Sequence, residues 1–107
     1  MTYIKINEMR YPASIRGYTK DREWDDRESK AITLEMTYEE AVNLFVDDLD
    51  WEIVYEEGEI TEVYDNSEFS VAGSVTDNRN GTVTVKMGVI TAEEALVELM
   101  EVLNHEA

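Results

Sequence analysis

The chain has no cysteine, one proline and one histidine among its 107 residues, and only nine lysines and arginines against twenty-five acids. Each shortage excludes something. Without cysteine there is no disulfide framework, thiolate zinc site or thiol nucleophile. The only histidine, His105, lies three residues from the end shown, where chains fray, so a catalytic or metal role is not expected of it. A Ser-His or Cys-His nucleophile is thereby excluded. No apolar run approaches the roughly 20 residues of a membrane span. Met1-Thr2-Tyr3-Ile4-Lys5 lacks the basic region and apolar run of a signal peptide. Phosphate-binding glycine loops, dinucleotide fingerprints and Gly-x-Ser-x-Gly elbows are missing too. These absences predict a soluble, cytoplasmic, non-enzymatic chain of one domain, 1–107, with no cofactor and no metal.

The excess of acids leaves a net charge of −16. It is uneven. Residues 1–50 carry seven bases against twelve acids, and residues 51–107 two against thirteen. Such a field repels nucleic acid and anionic membrane and attracts basic surfaces. Between Asp47 and Glu68 stand Asp47, Asp48, Asp50, Glu52, Glu56, Glu57, Glu59, Glu62, Asp65 and Glu68, with no base among them. Asp47-Asp48-Leu49-Asp50-Trp51-Glu52 lacks the glycine and distal glutamate of a calcium loop. Alternate residues on a strand lie about 6.5–7 Å apart, close to the phosphate step of a nucleic-acid strand. An acidic surface of that spacing fits a groove built for DNA or RNA. The plainer reading is a solvated acidic face.

What is present in quantity is repetition. Ile32-Thr33-Leu34-Glu35-Met36 runs into Thr37-Tyr38-Glu39-Glu40-Ala41. Val83-Thr84-Val85-Lys86-Met87 is followed, after three residues, by Thr91-Ala92-Glu93-Glu94-Ala95. Upstream, Ser14-Ile15-Arg16-Gly17 with Asp21 matches Ser70-Val71-Ala72-Gly73 with Asp77. The fold expected is α+β: a β-β-β-α unit duplicated, about 1–50 and 51–107, with an optional extra strand. Its antiparallel sheet or sheets would carry two packed amphipathic helices, because neither half can bury its faces alone. Gly17 and Gly73 are expected at equivalent bends or bulges.

Strands are expected over Tyr3–Asn7, Tyr11–Tyr18, Ala31–Met36, Trp51–Tyr55, Ile60–Tyr64, Glu68–Thr76 and Thr82–Met87. Trp51, Ile53 and Tyr55 should share a face, and Asn80-Gly81 should supply a hairpin turn. Thr37 and Thr91 each open a Thr-x-x-Glu capping box. The first helix should bury Val42, Phe45, Val46 and Leu49, with Asp47, Asp48 and Asp50 crowding its C-terminal end against the dipole. The second should bury Leu96, Leu99, Met100 and Leu103, and Asn104 to Ala107 should fray. Lys20 to Ser29 is too polar for a core segment and reads as a loop or distorted hairpin tip. Its Trp24 is either a lid over the core edge or, with arginines beside it, an anchor for a partner.

Tyr11-Pro12-Ala13-Ser14-Ile15, Asp25-Asp26-Arg27-Glu28-Ser29-Lys30-Ala31-Ile32-Thr33 and the Thr-x-Glu-Glu-Ala helix starts resemble small acidic proteins of prophages and mobile elements of Gram-positive bacteria. The resemblance implies one of two roles. One is an inhibitor of anti-CRISPR type, acting inside the bacterial host cell. It would occupy the nucleic-acid-binding site of a basic host protein, such as the CRISPR effector Cas9, and would not itself bind nucleic acid. The other is a virion or tail-region structural or assembly protein. The candidate binding residues are Asp47, Asp48, Asp50, Glu52, Glu56, Glu57, Glu59, Glu62 and Trp24. An open sheet edge also offers a route to a homodimer.

Overall fold

In the computed structural model, residues 1–105 are described. They form seven strands and two helices. In chain order the elements are β1 (Thr2–Ile6), β2 (Met9–Asp21), β3 (Arg27–Glu35), α1 (Tyr38–Leu44), β4 (Glu52–Glu57), β5 (Ile60–Asp65), β6 (Val71–Asp77), β7 (Thr82–Gly88) and α2 (Ala92–His105). The class is α+β, and every strand pairing is antiparallel. One sheet runs β5-β4-β1-β2-β3-β7-β6.

β2 organises it. Residues 9–12 pair with β1, and Ala13 onward pairs with β3. Pro12, which has no amide proton to give a ladder, sits where the strand passes from one neighbour to the next. The β1–β2 turn is two residues, Asn7 and Glu8, at φ 50° and 69°. Both central residues at positive φ give the turn that matches strand twist.

Alternation puts Ile4 and Ile6 of β1, Ile32 and Leu34 of β3, Ile53 of β4, and Val83, Val85 and Met87 of β7 into one buried cluster. Ala41, Phe45, Trp51 and Phe69 complete it. Trp51 is 1% exposed, and its Nε1–H donates to the Phe69 carbonyl at 3.0 Å. The Asn66 amide donates to the Trp51 carbonyl at 2.8 Å, so the chain between β5 and β6 is pinned to the chain entering β4. β4 starts one residue after Trp51. Ile53 is buried as expected, whereas Tyr55, further along the strand, reaches beyond the core and is 41% exposed.

Several expectations are corrected. α1 ends at Leu44, not near Leu49. Phe45 leaves helical geometry (φ −92°, ψ 91°) and enters the core. Asp47 and Asp48 therefore oppose no helix dipole. The Asp47 carboxylate accepts from the Ala72 amide at 2.8 Å, and Asp48 turns left-handed (φ 63°) with its amide on the Ser70 carbonyl. Val42 and Val46 are left exposed. β6 begins at Val71, since residues 66–70 cross the core instead of lengthening the strand. α1 packs on the sheet, against β6 and β7. Leu96, Leu99, Met100 and Leu103 of α2 are all more than half exposed rather than buried. α2 includes Asn104 and His105, and the rest of the segment expected to fray, Glu106 and Ala107, lies outside the described residues.

Lys20 to Ser29 is a distorted hairpin tip, the second of the two expected alternatives, not a plain loop. β2 runs to Asp21 and β3 starts at Arg27, joined by a 3₁₀ turn, Arg22–Trp24, and by Asp25 and Asp26 at φ 53° and 59°. Asp21 is buried and accepts from Ser29 Oγ (2.9 Å), Lys86 Nζ (2.8 Å) and the Glu23 amide (3.0 Å). The bond from Lys86 leads in holding its carboxyl below the ordinary range. Gly73 lies within the one irregularity of the β6–β7 register, between Ala72 and Val75. Gly17 pairs regularly with Lys30, ahead of the irregularity between Tyr18 and Asp21, so the two glycines are not equivalent bends.

Candidate protein-binding surface

The acidic run does not form one surface. Asp47 and Asp48 lie by the start of β6, at the far end of the strand order from β5. Asp50 and Glu52 meet Lys5, Glu8 and Asp65 around a shallow recess of about 390 Å³. Glu68 lies in the connection from β5 to β6, and the remaining acids are carried by the β4–β5 hairpin, which is the sheet's edge, with all six residues of β5 exposed.

Register decides which acids face together. Glu52 is opposite Asp65, and Glu56 opposite Thr61, on one face of the hairpin. Tyr55 is opposite Glu62, and Glu57 opposite Ile60, on the other. Glu57 and Glu59 flank Gly58, whose φ of 60° makes the tight turn. Three of these acids already have partners. Glu56 pairs with Arg10, and Glu62 accepts from Tyr64 Oη at 2.8 Å, which raises the tyrosine's pKa. Asp65 accepts from Ser67 through hydroxyl and amide, and these bonds lower its pKa. Asp50, Glu52, Glu57 and Glu59 form no ion pair among the described residues. They are the acids free to meet a basic partner.

On the inner face of the hairpin is an open cleft of about 600 Å³, not foreseen from the sequence. Its walls are Tyr55 and Tyr64, packed edge to face at 5.7 Å, with Glu62 and Glu68 among the lining acids. Lys30 also lines it. Its Nζ donates to Asn66 Oδ1 and lies 4.5 Å from the Phe69 ring centroid. Burial lowers the Lys30 pKa, while Glu68 and Glu28 act the other way. Pairing of Tyr55 with Glu62 and of Ile53 with Tyr64 builds this cleft, and no single motif announces such a register.

Trp24 is half-buried. Its ring lies against Gly73 and Gly88 and under the Arg27 guanidinium, 4.7 Å from its centroid. Trp24 is not among the side chains packed on the core cluster, so its ring covers the two strand glycines rather than the core edge. Arg27 in turn grips Glu94 through two bonds, of 2.6 and 2.9 Å, and donates to the Val89 carbonyl. At Thr91 both halves of the capping box form: the Glu94 amide donates to Thr91 Oγ1 and the Thr91 amide to Glu94 Oε1. The box was legible in the sequence, but its anchor Arg27, sixty-seven residues away, was not.

Among the described residues no group of three or more His, Asp or Glu side chains is placed to hold a metal ion, and no helix is long and apolar enough to cross a membrane. No family model, no curated protein and no solved structure matches the chain.

Proposed function

We propose that the protein is a non-enzymatic inhibitor that binds a basic, nucleic-acid-binding protein of a bacterial host cell through its β4–β5 hairpin. The observation that carries this reading is the hairpin itself. It is an exposed sheet edge with free carboxylates at Glu52, Glu57 and Glu59, preceded by that of Asp50, and no base within it. Carboxylates on such an edge take the lysines and arginines that would hold phosphates, and a CRISPR effector is the partner class implied by the resemblance. Binding of this kind falls as salt rises. Trp24, committed to Gly73 and Arg27, contributes less than the acids do.

The test is capture from bacterial lysate on the immobilised protein, with elution by salt and by added nucleic acid. The triple variant Asp50→Asn, Glu57→Gln, Glu59→Gln should release the captured basic protein at much lower salt while keeping the wild-type melting temperature. Equal retention by the variant refutes the acidic-hairpin reading.

A second reading, a phage structural or assembly protein, is favoured by a different observation. The β5 edge is open, no strand pairs with the outer side of β6 beyond its Asp47-capped start, and α2 exposes a set of large apolar side chains. Proteins retained through high salt would favour assembly. We also infer an internal duplication of the β-β-β-α unit. It is supported by the order β2-β3-β7-β6, in which the repeated strands lie side by side with Thr33 opposite Thr84 and their hydroxyls 2.9 Å apart.

A further inference from the structure

α2 is amphipathic in an unusual orientation. At 100° per residue, Leu96, Leu99, Met100, Val102 and Leu103 fall on one arc, together with Ala92 and Ala95. Glu94, Glu98 and Glu101, with Val97, occupy the other. The acidic arc is turned to the body, where Glu94, Val97, Glu98 and Glu101 face Asp47, Asp48 and Val71 across an open groove of about 380 Å³. The apolar arc lies opposite the groove, and its five large side chains are 54–57% exposed; Val97, lining the open groove, is 54% exposed. Arg27 fixes this orientation by clamping Glu94. Facing carboxylates across the groove oppose closure of the helix onto its own sheet.

From this geometry we infer that α2 is a dimerisation helix, and that its apolar arc is covered by the same arc of a second copy across a two-fold axis. The spacing fits. Ala92, Ala95, Leu96, Leu99, Val102 and Leu103 recur at three and four residues, the seam that two helices bury between them. The area fits as well. The five large side chains expose about 500 Å² per copy, so a symmetric pair that covered all of them would bury about 1,000 Å², the area a specific interface must clear. The open shape agrees: the radius of gyration is 15.4 Å, against about 13 Å for a closed domain of this length. An anionic membrane is repelled by the net charge. A basic partner would choose the acidic arc, not the apolar one.

Sedimentation velocity from micromolar to millimolar protein tests the pair. The wild type should reach twice the 12.3 kDa chain mass. Association should tighten as salt rises, because like charges are being screened. The hairpin's binding to a basic protein should weaken under the same change, so each reading can fail without the other. Leu99→Glu, and independently Leu103→Glu, should weaken dimerisation at least about tenfold, as central apolar anchors do. Val97→Glu, on the other arc, should leave it intact. Circular dichroism checks that each variant is folded. A wild type that stays monomeric at all concentrations overturns the inference. So does equal damage by Val97→Glu and Leu99→Glu.

Discussion

A methyl group added at Gly73 tests how Trp24 is held. An added Cβ would lie 2.6 and 2.8 Å from two carbons of the Trp24 indole and 3.1 Å from the Lys86 carbonyl oxygen, where ordinary contact begins at 3.4 Å. The indole has little room to yield, since Gly88 lies against it and Arg27 covers its ring. Overpacking of this kind costs about 1–3 kcal/mol. In a chain of this length that lowers the melting temperature by roughly 4–8 °C per kcal/mol. The diagnostic experiment is a double-mutant cycle with Trp24→Ala. Once the ring is gone, only the carbonyl contact remains, and a side chain in place of glycine favours the strand by about 0.5–1 kcal/mol. Gly73→Ala should therefore be strongly destabilising alone and nearly neutral in the Trp24→Ala background. The coupling, read from urea denaturation, should be about 1–3 kcal/mol. Additivity within about 0.5 kcal/mol would show that Trp24 does not rest on Gly73, and the packing of its ring on β6 would fall with it.

Two further outcomes follow from the same packing. Trp51→Phe removes the indole donor from the buried Phe69 carbonyl and leaves space beside it. It should cost about 2–4 kcal/mol in urea denaturation, and a loss under about 0.5 kcal/mol would mean that the indole does not hold the segment between β5 and β6. The Glu94 carboxyl is held at about 2, chiefly by its bonds to Arg27, against an ordinary value of 4.5. A lowered folded-state pKa gives stability that is complete above the unfolded value and is lost as pH falls through the folded one. The melting temperature should therefore drop between about pH 4.5 and pH 2. Glu94→Gln should flatten that drop, and an unchanged pH profile in the variant would remove the clamp from the account.

The strands were legible because their signals are local. The alternation of Ile4 with Ile6, of Ile32 with Leu34 and of Val83 with Val85 states a period of two and a buried face. Both threonines cap their helices, but the full box forms only at Thr91 among the described residues: Thr37 Oγ1 accepts from the Glu40 amide without the return bond. Strand order was not legible in detail, since no local signal places β7 between β3 and β6. The sequence shows the acids of the run as residues but not which of them face together. Turn geometry at Gly58 and pairing in β4–β5 sort them onto opposite faces, and Asp47 is diverted to a backbone amide.

The α2 error has a more specific cause. Periodicity in Leu96, Leu99, Met100 and Leu103 says that one side of a helix is apolar. It says nothing about what lies opposite. The expectation of burial assumed that the sheet must be the partner, because α1 has the same start, Thr-x-Glu-Glu-Ala, and does pack there. The two helices differ after that start. α1 stops at seven residues so that Phe45 can turn into the core. α2 runs on for fourteen, with Glu98 and Glu101 on the side that would have to touch the acidic body. The carboxylates thus decide the orientation that the leucines leave open. A helix whose charge pattern turns its apolar arc outward needs a partner supplied from elsewhere, and the self-complementary arc of a second copy meets that need without a basic residue.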